Sequence, residues 1–129
     1  MSGREEIRAP GLPEPISHYT DAVRADNLLF LSGCVPVDGD GRLVPGDVVA
    51  QARQVFANLR AVLEAAGAGF GDIVKVTVFL TDVDDRQAVN TVREEVFGDA
   101  RPASTLVEVS ALAVPGALLE IEAVAAIPD

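Results

Sequence analysis

A chain of 129 residues, 49% of them apolar, can bury one real core and is too apolar for a disordered tail or a linker. With 20 acidic against 10 basic residues and no basic cluster, it lacks the cations by which proteins displace counterions from nucleic acid. Its one cysteine, Cys34, excludes an internal disulfide and any multi-cysteine metal site, and fits a reducing compartment.

The opening "MSGREEIRAP" has neither the basic nor the apolar stretch of a secretory signal, and no apolar run in the chain approaches bilayer length. The expected location is therefore cytoplasmic, with no membrane and no nucleic-acid partner. One domain over residues 1–129 is expected, with about the first 14 residues, rich in proline and charge, as an irregular lead-in. "SHYTDAVRADNLLFLSG" reads as two short strands around the turn Ala25-Asp26-Asn27, and "VDGDGRLVPGD" as a loop.

From Asp47 the period changes. Val49, Ala52, Val55, Phe56, Leu59, Val62, Leu63 and Ala66 form one apolar stripe, with Asp47 as N-cap and Gly67 as left-handed terminator. "DIVKVTVFLTDV" is a β-branched strand, with Val74, Val76, Val78 and Leu80 on one face and Ile73, Lys75, Thr77 and Phe79 on the other. A second helix is predicted from Asp84 or Asp85 to Gly98, burying Val89, Val92, Val96 and Phe97. Two strands follow, Thr105–Ala111 and Leu118–Ile127, joined by "LAVPGA".

This order predicts an α+β fold: a mostly antiparallel sheet, paired within hairpins, with two helices on one face. The last strand is apolar on both faces, Leu119, Ile121, Ala123, Ala125 and Ile127 against Leu118, Val124 and Ala126. Two helices cover only one side of such a sheet. The other needs a partner, and the simplest is a second copy of the chain.

Glu120 and Glu122 break that last strand on one face, about 7 Å apart by strand rise. A carboxylate among apolar neighbours has a raised pKa and moves protons near neutral pH, whereas on an exposed rim it is only solvated. His18 and Tyr19 stand near the first strand without a further signal. Cys34 has no neighbouring charge in sequence to activate it and reads as a small buried residue. Ser104 and Thr105 have no adjacent base, and no nucleophile-elbow, phosphate-loop, dinucleotide or zinc motif is present.

Taken together, "DVVAQARQVFANLRAVLEAAGAGFGDIVKVTVFLTDVDDRQAVN", "RPASTLVEVSAL" and "LLEIEAVA" resemble the Rid family, the YjgF-like reactive intermediate deaminases, in order and spacing from about residue 15 to 126. The resemblance implies a chorismate-mutase-like fold assembled as a homotrimer, with a small-molecule cleft at each subunit interface and no metal or organic cofactor. It also implies hydrolysis of enamines and imines to a carbonyl product and ammonia. On this resemblance Tyr19, Ser32, Gly33 and Asn90 line the cleft, and Glu120 orients or activates the attacking water.

The departure lies in "RPASTLVEVSAL". Deaminase-type relatives read Pro-Ala-Arg there, and the arginine clamps the substrate carboxylate; here Ser104 holds that position and Leu106 one often held by Cys or Thr. A bidentate guanidinium–carboxylate pair is charge-assisted, and a neutral hydroxyl does not replace it. Arg101 is the nearby candidate for a substitute cation. Two expectations follow. One is an imine deaminase whose substrate differs from a simple 2-imino acid; the alternative is a non-catalytic metabolite-binding or regulatory module on the same trimer. An RNA-cleaving activity, attributed to some relatives, ranks last because of the charge.

Overall fold

The computed structural model describes residues 3–127. Eight regular elements make one sheet and one helical layer: β1 (Arg4–Ile7), β2 (Ala22–Ala25), β3 (Leu28–Cys34), α1 (Val48–Ala65), β4 (Ile73–Leu80), α2 (Arg86–Phe97), β5 (Ala103–Glu108) and β6 (Leu119–Ala126). The strands lie in the order β1-β2-β3-β6-β4-β5, antiparallel throughout except for the β4–β5 pair.

Both predicted helices form, although Val96 and Phe97, expected to be buried in the second, are only partly so. The Asp47 side chain accepts a hydrogen bond from Ala50 N at 3.0 Å, satisfying one orphan donor of α1, and Gly67 follows the helix at φ 77°. The helix buries Ala52, Val55, Phe56, Leu59, Val62 and Leu63. A single helical turn at Val83–Asp85 leads into α2, which buries Val89 and Val92 and ends at Gly98 with φ 58°. Both helices lie on the sheet face that buries Leu29, Leu31, Val76, Val78, Leu80, Leu119, Ile121, Ala123 and Ala125.

Four local expectations are corrected. Arg4–Ile7, expected as irregular, is a strand paired antiparallel with β2, because every second backbone group there finds a partner across Ala22–Ala25. The strand expected at Thr105–Ala111 begins two residues earlier and ends at Glu108. It is not the hairpin partner of β6: α2 carries the chain over the sheet, so β5 lies parallel to β4, which separates it from β6. A register shift between Ile73 and Lys75 turns Val74 outward, 48% exposed, and buries Ile73 with Val76 and Val78.

The opposite sheet face carries no covering layer. Leu28, Phe30 and Val107 are exposed there, with Val124 and Ala126 half-buried beside Lys75, Thr77 and Glu122. Phe30 alone is 47% exposed, an unusual position for a large aromatic side chain in a folded protomer.

Candidate active site

The site grows out of a defect in the sheet. β3 pairs with β6 through Leu31 and Ala123, and next through Cys34 and Ile121, so one extra residue of β3 bulges at Ser32-Gly33. The bulge brings Gly33 against Glu120. A Cβ on Gly33 would lie 2.8 Å from Glu120 Cδ, 3.0 Å from Cγ, and closer still to Oε2. Only a residue without a side chain leaves the carboxylate in that place.

Ser32 is held on both of its polar groups. Its N–H donates to Asp21 O at 3.0 Å and its hydroxyl donates to Thr20 O at 2.6 Å. The Thr20 hydroxyl in turn donates to Ile7 O at 3.1 Å. Asp21 completes the brace: its Oδ2 accepts from Ala9 N and from Arg8 Nε, each at 2.9 Å, while Arg8 Nη1 donates to Glu14 at 2.9 Å. The proline-rich lead-in is thus strapped to the segment that presents Tyr19. The proton-binding tendency of Arg8 rises, first through its hydrogen bond to Asp21.

Tyr19, Ser32, Gly33 and Glu120 share the wall of one concavity of about 340 Å³, with Ile16, Val35 and Val114 supplying apolar surface. A smaller hollow of about 140 Å³ shares Tyr19, Ser32, Gly33 and Val35, and runs under the lead-in to Leu12, Val37 and Val62. Glu120 is half-buried, and its pKa is raised, first by burial and then by the charge of Glu122. Burial, with Asp21 and Glu120 adding to it, also pushes the Cys34 thiol up to about 12, so Cys34 stays protonated and unreactive at the site's inner edge.

Two polar side chains that the helical periodicity passes over hold the flanking loops. Asn58 of α1 donates from Nδ2 to Val35 O at 3.0 Å and Val37 O at 2.9 Å. Gln51 donates to Val44 O and Gly116 O, and its Oε1 accepts from Leu118 N at 2.8 Å. They sit seven residues apart on the apolar stripe, a spacing that marks buried polar anchors once the stripe is drawn.

The remaining residues singled out in the sequence lie elsewhere in the protomer. Paired residues of neighbouring strands share a sheet face: Ser104 pairs with Val76 and Leu106 with Val78, both buried beneath the helices. Glu120 pairs with Phe79, on the uncovered face. Leu106 packs partly buried against the core, and Ser104 is exposed at the sheet edge. Asn90 and Arg101 are exposed and line a groove along α2 together with Pro102. Within one protomer, then, Tyr19, Ser32, Gly33 and Glu120 gather, while Asn90, Arg101 and Ser104 stand on the helical side.

Residues 10–127 match the family described as endoribonuclease L-PSP, the YjgF/RidA proteins. The chain belongs to that family. Its two helices on a six-stranded, mostly antiparallel sheet are the chorismate-mutase-like fold of the YjgF/RidA proteins. A RutC family protein of Pyrococcus horikoshii is 45% identical over 123 residues, covering 95% of this chain and 97% of that one. A 2-iminobutanoate/2-iminopropanoate deaminase of Capra hircus is 40% identical, covering 95% and 89%. Among solved structures, E. coli TdcF with bound serine superposes with a TM-score of 0.89 at 35% identity, covering 96% of this chain and 99% of that one. Imine deaminases therefore stand among the near relatives of this YjgF/RidA chain. No helix among its described residues is long and apolar enough to cross a membrane.

Proposed function

We propose that this YjgF/RidA protein hydrolyses a small imine or enamine to a carbonyl compound and ammonia. The observation that carries the reading is the Glu120 carboxylate, half-buried with a raised pKa and seated over Gly33 in the concavity that Tyr19 shares. A carboxylate so placed accepts a proton from water as the water oxygen attacks the imine carbon. The resulting carbinolamine takes a proton on nitrogen, the C–N bond breaks, and ammonia and the carbonyl product leave. Water supplies the oxygen and the protons, so the balance needs no metal and no organic cofactor.

The protomer offers only half of the expected cleft. Asn90, Arg101 and Ser104 lie on the other side of the sheet from Glu120, so a cleft holding both sets needs a second copy of the chain. A homotrimer with three interfacial clefts, in a cytoplasmic setting, is the assembly we infer. Tyr19, the Ser32-Gly33 backbone, Asn90, Ser104, Leu106 and Arg101 are the proposed substrate-binding residues.

The test is ammonia release from 2-iminobutanoate and 2-iminopropanoate generated in situ. Release above buffer that disappears in Glu120→Gln supports the reading. Release no faster than buffer for both, together with a thermal shift on adding keto acids, would replace it with a non-catalytic metabolite-binding module. The Ser104 departure from the deaminase pattern is what favours that second reading.

A further inference from the structure

Arg93 stands out in the groove along α2. It lies half-buried one helical turn beyond Asn90, and the groove of about 650 Å³ that it lines also contains Glu94, Asp99, Arg101 and Pro102. Glu94 accepts a hydrogen bond from Asn90 Nδ2 at 3.2 Å. Neither Glu94 nor Asp99 comes within ion-pair distance of a guanidinium, and among the described residues neither Arg93 nor Arg101 forms an ion pair.

A guanidinium cannot shed its proton to escape burial, so a half-buried arginine without a counter-ion holds an uncompensated charge. Other arginines of this chain do find acids: Arg53 takes Glu95 on two nitrogens, at 2.6 and 3.3 Å, and Arg8 takes Asp21 and Glu14. The groove also carries an amide, Asn90, and a second guanidinium, Arg101. Its chemistry suits a planar anion that accepts two parallel N–H donors.

We infer that the groove is a carboxylate-binding subsite and that Arg93 is its principal cation, with Arg101 as the outer one. Burial pulls down the proton affinity of Arg93 with no acid to offset it, which agrees with a cation awaiting an anion. Pro102 ends the groove two residues before Ser104, whose hydroxyl position on β5 lies on the same helical side. Assigning the carboxylate to the substrate rests on the imine-hydrolysis reading; the anion site itself does not.

Titration calorimetry of the full chain with 2-oxobutanoate, and with its uncharged amide, tests the assignment. The acid is expected to bind, and Arg93→Gln to weaken it by about ten- to a hundredfold without changing the amide. Arg93→Lys, which keeps the charge but not the fork, falls between, and Arg101→Gln has the smaller effect. Failure of the wild type to bind the acid, equal binding by wild type and Arg93→Gln, or equal losses for acid and amide overturns the proposal. Arg93-dependent binding of the acid without ammonia release from 2-iminobutanoate leaves the subsite standing and removes the hydrolytic reading.

Discussion

The Glu120 carboxylate occupies the space that a side chain on Gly33 would fill. Glycine is required there by contact rather than by backbone angle, since Gly33 is not among the positive-φ glycines. The atoms a methyl would meet belong to the flexible end of Glu120. Gly33→Ala is therefore expected to push the carboxylate aside while the sheet stays intact. Ammonia release should fall by about a hundredfold or more, the scale of a displaced acid–base group, with little change in Tm. A large fall in Tm with activity per folded molecule retained would contradict this.

Glu120 binds its proton more tightly than an ordinary glutamate, first through burial and then through Glu122. As a base it works only when ionised, so the acid limb of kcat/KM against pH should lie above the usual glutamate range. Glu122→Gln removes the second cause and should move that limb to lower pH. The stability consequence has the opposite sense. A raised folded-state pKa contributes stability below the unfolded value of 4.5, and that contribution is lost as pH rises through the folded value. Glu120→Gln should thus be neutral or stabilising at pH 7, which thermal unfolding of both variants at pH 4 and 7 would check.

Asn58 is buried and satisfies two carbonyls, Val35 O and Val37 O. Asn58→Leu removes both donors and leaves Val37 O without a partner, while Val35 O keeps the Val37 N–H at 2.9 Å. An unsatisfied buried carbonyl costs about 1–3 kcal/mol, and a loss of that size is expected in denaturant unfolding. A loss below about 0.5 kcal/mol would mean that water or a rearranged loop takes over the pairing.

In an Arg93→Gln background, Ser104→Arg should restore a carboxylate-binding cation, at the start of β5 where the resemblance to deaminases leads one to expect it. The expected outcome is a rise in kcat/KM for 2-iminobutanoate of about tenfold or more, mostly through KM, with no gain for an uncharged imine. An equal gain on both substrates would assign the effect to something other than carboxylate binding.

Phe30 lies on the uncovered face with Leu28 and Val107. Because it is already half in water in the protomer, Phe30→Glu should leave the fold intact and prevent a second copy from seating. Sedimentation should show a monomer at micromolar concentration, and ammonia release should vanish with the assembly. An oligomer of unchanged mass would place the interface elsewhere.

Much of the fold is legible in the residue order. The α1 stripe from Ala52 to Leu63 and its Asp47 cap act within a few residues, so local periodicity and capping chemistry report them directly. The edges read less well. Arg4–Ile7 has no strand-like composition and becomes a strand because Ala22–Ala25 offers it hydrogen bonds, a contact made from 15 or more residues away. The place of β5 beside β4 depends on a crossover through α2 that no local pattern records.

The candidate site divides the same way. Glu120 can be named from the sequence because a carboxylate interrupts an apolar strand, and Tyr19, Ser32 and Gly33 through the family resemblance. Their meeting cannot, since it depends on a bulge in β3 against β6, created by long-range register. Arg93 escapes notice in the sequence, where it is one charge on an amphipathic helix; its missing counter-ion is visible only when its neighbours are placed. By itself the sequence determined the composition of the core, the two helices, the family and the ionisable residues, all of which follow from local pattern and residue type. Only the tertiary structure decided which face of the sheet each of those residues occupies, because pairing register, not identity, sets the side on which a strand residue points.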